Sequence, residues 1–228
     1  MKPVCLVLGA GAGIGGTVAA KFASEGYHSY LCRRSDQEGL DKLIKGIEDA
    51  GGSASGSLMN AIEEDALEEV ITKVESDVGP IEVLVYNLGA QTGMKLLSQT
   101  THKEFEWGWR MASFGLFRVA KILCPIMAER GKGTFLVTSA TAAMRGNATQ
   151  HSHAAAMGAR RMLCQSLNAE FAPKGIHVAH IVVDGAVDAP DTLGKMLGPE
   201  MYQQLRETKG MEHDGLLLPK EIAKTYFH

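Results

Sequence analysis

The stretch Val4-Cys5-Leu6-Val7-Leu8-Gly9-Ala10-Gly11-Ala12-Gly13-Ile14-Gly15-Gly16 decides the fold of this 228-residue chain. Residues 4–8 are a continuous apolar run, which is typical of a parallel strand buried on both faces. A glycine-rich turn follows, and apolar residues then recur at helical spacing (Ile14, Val18, Phe22) before Gly26. This stretch therefore predicts a strand, a tight turn and a helix.

The glycines of this turn predict a nucleotide site, because they let the backbone approach a pyrophosphate that the helix N-terminus then holds. Residues 11–16 fit the pattern GxGxxG, and residues 9–15 fit GxxxGxG. The strand ends at Leu8, which favours the second pattern. A glycine-rich turn without a ligand is the alternative. The predicted cofactor-binding residues of the turn are Gly9, Gly11, Gly13, Ile14 and Gly15.

The end of the second strand indicates which dinucleotide is bound. Cys32 is followed there by Arg33 and Arg34. A guanidinium matches the geometry of a 2′-phosphate, so NADP(H) is the preferred cofactor. Asp36 could instead accept hydrogen bonds from a ribose and favour NAD(H), which stays possible, although its position also suits a helix cap. A solvated pair of charges is the remaining interpretation of the arginines.

Strand-like and helix-like segments alternate along the rest of the chain. This order predicts an α/β fold of the Rossmann type, a doubly wound parallel sheet of about six strands with helices on both faces. We expect one domain over residues 1–228, without repeats. Ser35 and Glu38 have the spacing of a capping box for the second helix. The predicted strands are residues 4–8, 28–32, 55–59, 83–87, 134–139 and 177–183, and the longest predicted helices are about 103–130 and 154–172.

Composition narrows the classes of function. Hydrophobic residues make up 45% and charged residues 21% of the chain, and the formal net charge is -3, which gives no basic footprint for nucleic acid or an anionic membrane. No apolar run reaches the roughly 18 residues of a membrane span. The four cysteines lie apart and predict buried free thiols in a reducing compartment, with the cytoplasm as the default.

These features together resemble the short-chain dehydrogenase/reductase family. The resemblance covers about residues 4–190 and includes Asn60, where the family often has an Asp near the adenine. Residues 86–89 (Tyr-Asn-Leu-Gly) stand at its Asn-Asn-Ala-Gly motif, and residues 184–188 (Asp-Gly-Ala-Val-Asp) at its Pro-Gly segment. By this resemblance Asn87, Gly89 and Ala90 line the cofactor, and the backbone of Val187 faces the nicotinamide amide. A homodimer or homotetramer is also implied.

The catalytic residues of that family are absent. Its reductases use Asn, Ser, Tyr and Lys, because hydride transfer to a carbonyl leaves an alkoxide that must be protonated or stabilised. Counting back from residues 166–167 places His153 at the tyrosine and Met157 at the lysine position. Ala140 stands at the serine and Ala112 at the asparagine position, so all four roles are vacated.

Three polar residues could still assist chemistry. His153 can donate a proton, and Ser139 and Thr141 flank the vacated serine position. They are the tentative catalytic candidates of an NADP(H)-dependent oxidoreductase acting on a small carbonyl or alcohol compound. The alternative is a pseudoenzyme that senses NADP(H) or binds a partner. His151 and His153 also form an HxH pair, but without a third ligand at fitting spacing no metal site is predicted.

Residues 189–218 resemble the family's substrate lid and are rich in Met and Leu. Methionines suit an adaptable apolar surface, so an apolar small-molecule ligand is one hypothesis. Ordinary helix packing or an oligomer interface explains them equally well.

Overall fold

A computed structural model describes residues 2–89, 91, 93–211 and 216–228. It contains one six-stranded sheet in the order β3-β2-β1-β4-β5-β6, in which every pairing is parallel. The predicted Rossmann-type sheet of six strands is therefore confirmed. Its strands are Val4–Leu8 (β1), His28–Arg33 (β2), Ser53–Leu58 (β3), Ile81–Tyr86 (β4), Gly133–Ala140 (β5) and Ile176–Val183 (β6).

Helices cover both faces of the sheet, and each face buries its own apolar cluster. β1 is buried throughout, as its unbroken apolar sequence requires, since side chains from alternate residues enter opposite clusters. The helices are Ile14–Ser24 (α1), Gln37–Asp49 (α2), Ala66–Lys73 (α3), His102–Trp109 (α4), Gly115–Arg130 (α5), His151–Phe171 (α6), Lys195–Leu197 (α7), Pro199–Met211 (α8) and Pro219–Phe227 (α9).

The expected capping box at the start of α2 is wrong. Asp36 is the N-cap residue, and its carboxylate accepts a hydrogen bond from the backbone N–H of Gly39 at 2.9 Å. Asp36 lies in the left-handed region (φ 74°), which Asp tolerates better than most residues because its short side chain bonds locally. The second carboxylate oxygen pairs with Arg33. This ion pair favours a cap at residue 36 over the one expected at 35.

The long helix expected at 103–130 is one continuous helical stretch with a wider turn inside it. A π-helical turn at Arg110–Phe114 separates α4 from α5. Such turns release backbone carbonyls from the regular hydrogen-bond pattern and often lie at functional sites. Ala112, one of the vacated catalytic positions, lies inside this turn.

The stretch His102–Arg130 is also long and apolar enough to cross a membrane by length and composition alone. Half of its most apolar window is buried within the protein, and Leu116, Val119 and Leu123 belong to the core. Core helices of soluble proteins pass the same test, so this stretch is weak evidence for a membrane span. We therefore describe it as a core helix.

The segment expected to act as a lid follows β6. It contains a π-helical turn at Pro190–Gly194, then α7 and α8. Residues 212–215 of this segment lie outside the described residues. An isolated parallel bridge between Val187 and Leu217 ties the loop after β6 to the chain beyond α8.

Candidate functional site

The glycine turn after β1 leaves no room for side chains at its critical positions. Gly9 has φ +97°, and a Cβ there would lie 2.6 Å from the backbone oxygen of Asn87. A Cβ on Gly15 would lie 2.2 Å from the oxygen of Gly9, and one on Gly16 would lie 2.6 Å from that of Gly11. The turn therefore requires glycines from both sequence patterns, although it begins at Gly9 as expected.

The N-terminus of α1 is built to accept an anion. Gly13 is its N-cap residue and supplies no side-chain acceptor. Among the described residues, no hydrogen-bond acceptor is recorded for the backbone N–H groups of Ile14 and Gly15. These donors and the helix dipole suit a phosphate group.

Asn87 holds the end of β4 against this turn. Its side-chain Nδ2 donates to the oxygen of Gly9 at 2.9 Å, and its backbone N–H donates to the oxygen of Leu8, also at 2.9 Å. The structure thus brings Asn87 and the glycine turn together, as expected for one ligand site. Gly89 follows in an exposed loop, whereas Ala90 lies outside the described residues.

The two arginines after β2 have different environments. Arg33 is largely covered and donates to the carboxylate of Asp36 at 2.8 Å. Arg34 is exposed and lines a cleft of about 470 Å³ together with Asn60 and Lys73. Asn60 donates to the Glu63 carboxylate at 2.9 Å. Arg34 is therefore the arginine better placed to bind a phosphate group.

Three of the positions predicted to be vacated, Ala112, Ala140 and Met157, lie in one apolar cluster. Ala112 and Met157 are buried and pack with Ala142, Ala143 and Ala156. The hydroxyl of Ser139 lies 3.7 Å from the Met157 sulfur, in donor geometry toward that weak acceptor. A buried thioether therefore occupies the position predicted to correspond to the family's lysine.

The remaining catalytic candidates lie around this cluster. Ser139 is buried near the end of β5, and Thr141 begins the short turn Thr141–Ala143 that packs against α6. His153 lies half-buried in the first turn of α6. Among the described residues, no group of three or more His, Cys, Asp or Glu side chains could hold a metal ion.

Sequence reasoning missed Arg160, which is only 1% exposed. Its Nε donates to the oxygen of Ala112 at 2.9 Å. Its Nη1 donates to Thr138 at 2.6 Å and its Nη2 to Leu88 at 2.8 Å, both at backbone oxygens. An arginine at helical spacing among the apolar residues 156, 157, 164 and 167 was the available signal.

The sequence analysis also did not predict a cluster of three polar side chains that joins α8 to the loop after β6. The hydroxyl of Tyr202 donates to the Asp188 carboxylate, whose other oxygen lies 3.3 Å from Arg206. Desolvation and the neighbouring carboxylate raise the pKa of Tyr202 to about 12. Asp188 directly follows Val187, which is expected at the nicotinamide amide, so this hydrogen bond and ion pair tie α8 to the loop that carries Val187.

Comparison with known proteins identifies the family. The model of the short chain dehydrogenase family matches residues 3–194. The chain is 30% identical over 227 residues to the short-chain reductase protein NovJ of Streptomyces niveus, covering 98% of this chain and 85% of that protein. It is 29% identical over 189 residues to the 3-oxoacyl-[acyl-carrier-protein] reductase FabG of Thermotoga maritima, covering 83% of this chain and 76% of that one.

Among solved structures, a single-residue variant of actinorhodin polyketide ketoreductase with NADPH has the same fold. Its TM-score is 0.87 at 24% sequence identity, and the match covers 99% of this chain and 89% of that one. The fold, the glycine turn and these matches define a protein of the dinucleotide-binding α/β class. Within that class, the chain belongs to the short-chain dehydrogenase/reductase family.

Proposed function

We propose that this protein binds NADP(H) and does not perform the ordinary carbonyl reduction of its family. The observation that carries this proposal is the buried thioether of Met157, which packs against Ser139 where a charged lysine would be needed. A bound nicotinamide supplies a hydride, but the alkoxide formed would lack the usual proton donor and its cationic helper. Cofactor-dependent sensing or partner binding is the function that remains.

NADP(H) binding is supported by the groups at the other end of the cleft. The N–H donors at the start of α1 suit a pyrophosphate, and exposed Arg34 suits a 2′-phosphate. The related ketoreductase was solved with NADPH. NAD(H) is the less favoured cofactor, because Asp36 is engaged by Arg33 and by the backbone of α2.

A second candidate function is slow reduction of a small, apolar carbonyl compound. His153 stands at the proton-donor position and Ser139 at the end of β5, so some acid assistance can be retained. The exposed side chains Met94, Met144 and Met196 would suit an apolar ligand. Reductases among the relatives favour this candidate.

Two measurements separate these functions. NADPH and NADH are first titrated against the purified protein by calorimetry, and we expect binding of NADPH that is tighter than that of NADH. Turnover of NADPH is then measured with a panel of ketones and aldehydes for the wild type and for His153→Ala. Tight binding without turnover supports the first function, whereas turnover that the substitution abolishes supports the second. Failure to bind either cofactor would refute both.

We also propose a cytoplasmic protein that forms a homodimer or homotetramer. The four cysteines, all buried free thiols, suit a reducing compartment. Phe105, Trp109 and Phe117 on α4 and α5 are large and nearly half exposed, which suits contact with a second copy. Light scattering coupled to gel filtration measures the assembly, and a monomer at micromolar concentration would contradict this proposal.

A further inference from the structure

The guanidinium of Arg160 is a buried charge without a carboxylate partner among the described residues. Its recorded acceptors are three backbone oxygens, and its guanidinium carbon lies 5.1 Å from the centre of the Tyr86 ring. These contacts supply acceptors for the N–H groups of the guanidinium, but none of them carries a negative charge that would neutralise it. An arginine stays protonated even when burial lowers its pKa.

The titratable groups around Arg160 do not supply the missing negative charge. Burial raises the pKa of Tyr86 well above its usual range, and it raises those of Cys164 and Tyr226 to about 12. All three are therefore neutral at pH 7. Burial, together with the charges of Arg160 and Arg161, lowers the pKa of His180, which is neutral as well. None of these groups therefore offsets the charge of Arg160 with a negative charge of its own.

The three carbonyls place this charge beneath one end of the candidate site. Leu88 lies between the two predicted cofactor residues of the loop after β4, and Thr138 directly precedes Ser139. Ala112 stands at the vacated asparagine position. In the family resemblance this is the nicotinamide end of the cleft, whereas the phosphates lie at the start of α1.

We propose that Arg160 makes the site select the reduced cofactor, NADPH, over NADP⁺. This inference rests on the proposed function. The oxidised nicotinamide ring carries a positive charge and the reduced ring is neutral, while the rest of the nucleotide is the same. A fixed cation that is not offset by a phenolate or carboxylate therefore disfavours only the oxidised form. A protein with this preference would report the reduction state of the NADP(H) pool.

The test compares dissociation constants of NADPH and NADP⁺ by calorimetry in the wild type, Arg160→Met and Arg160→Lys. We expect the wild type to bind NADPH roughly tenfold more tightly, the order expected for like unit charges within one protein site. The preference should be lost in Arg160→Met, which removes the charge. In Arg160→Lys it should persist at about pH 6 and weaken as the pH rises, because burial lowers the pKa of a lysine but leaves an arginine charged.

A third ligand separates a local charge effect from general damage. The nucleotide 2′-phospho-ADP-ribose lacks the nicotinamide ring, so its affinity should change less than about twofold in all three proteins, since the charge of Arg160 acts on the ring. An equal loss of affinity for all three ligands in Arg160→Met would show that Arg160 only maintains the fold, and would overturn the inference.

A second pair of variants keeps Arg160 and tests the charge in another way. Cys164 lies one helical turn from Arg160 in α6 and is buried beside it. Cys164→Asp should offset the guanidinium and reduce the preference for NADPH, whereas Cys164→Asn should retain it. Equal affinity of the wild type for NADPH and NADP⁺ would refute the inference alone. Lack of binding of either would refute the proposed function as well.

Discussion

The two ends of the candidate cleft differ in which side chains they present. Around the start of α1 and the end of β2, backbone N–H groups and Arg34 are available to an anionic ligand. Around the ends of β4 and β5, alanines and Met157 form an apolar cluster at the positions predicted for the family's catalytic residues. We propose that binding chemistry is retained at one end and that proton-transfer chemistry is lost at the other. The proposal implies that cofactor binding and proton transfer can be separated within one fold.

The largest expected effect lies in the restoration of catalysis at the nicotinamide end. The triple variant His153→Tyr, Met157→Lys and Ala140→Ser should raise NADPH-dependent carbonyl reduction, by up to roughly 10²- to 10⁴-fold over the wild type. A lysine at 157 would lie one helical turn from Arg160, and two cations in one apolar site repel each other. We therefore expect a larger gain when Arg160→Leu is added. Steady-state kinetics measure both.

The informative result is whether the quadruple variant with Arg160→Leu is faster than the triple variant. His153→Tyr with Met157→Leu serves as the matched control, because it supplies the phenol without the ammonium group. If the quadruple variant binds NADPH but is no faster than this control, the assignment of the vacated positions is wrong.

At the phosphate end, Gly15→Ala should weaken NADPH binding by roughly a hundredfold, or about 2.7 kcal/mol. The new Cβ would meet the backbone oxygen of Gly9 at 2.2 Å, and neither backbone segment can move without opening the turn. Gly46→Ala is the matched control, since that helical glycine in α2 has nothing within 4 Å of the added Cβ. The affinity of the Gly46→Ala variant for NADPH should equal that of the wild type. Calorimetry measures both affinities, and equal affinity of the two variants would contradict the proposed phosphate site.

A smaller change is expected at the arginines. Arg34→Ala should weaken NADPH binding about tenfold and leave NADH binding nearly unchanged, because a surface guanidinium contributes about 1.4 kcal/mol to one phosphate contact. Arg33→Ala should have less effect on NADPH, because Arg33 is held by Asp36. The reverse order in fluorescence titrations would show that Arg33 leaves its ion pair to bind the phosphate.

The smallest expected effect concerns acid stability at the start of α4. Hydrogen bonds from Lys95 and Thr101 lower the pKa of Glu104 from 4.5 to about 2. Because the folded-state pKa is the lower one, the carboxylate stabilises the protein above about pH 4.5, and this stabilisation is lost as the pH falls toward 2. The Tm difference between wild type and Glu104→Gln should shrink over that range. A difference independent of pH would contradict the assigned hydrogen bonds.

Local sequence determined most of the fold. The unbroken apolar run of β1 predicted a strand buried on both faces, and the alternation of segments predicted the parallel sheet. These patterns are local and periodic, so they need no knowledge of distant contacts. The cap of α2 was misassigned because Asp36 is fixed by an ion pair to Arg33 and by a left-handed backbone that spacing does not reveal.

The features of the candidate site also fall into those that the sequence predicts and those that only the tertiary structure decides. The sequence alone determined the glycine turn and predicts the substitution of the four family catalytic residues, because both depend on residue types at fixed spacing. Only the tertiary structure decided that Arg33 is engaged while Arg34 is exposed, and that Arg160 binds carbonyls at residues 88, 112 and 138. Those three oxygens come from segments far apart in the chain. Their convergence on one buried charge follows from the packing of α6 against the sheet.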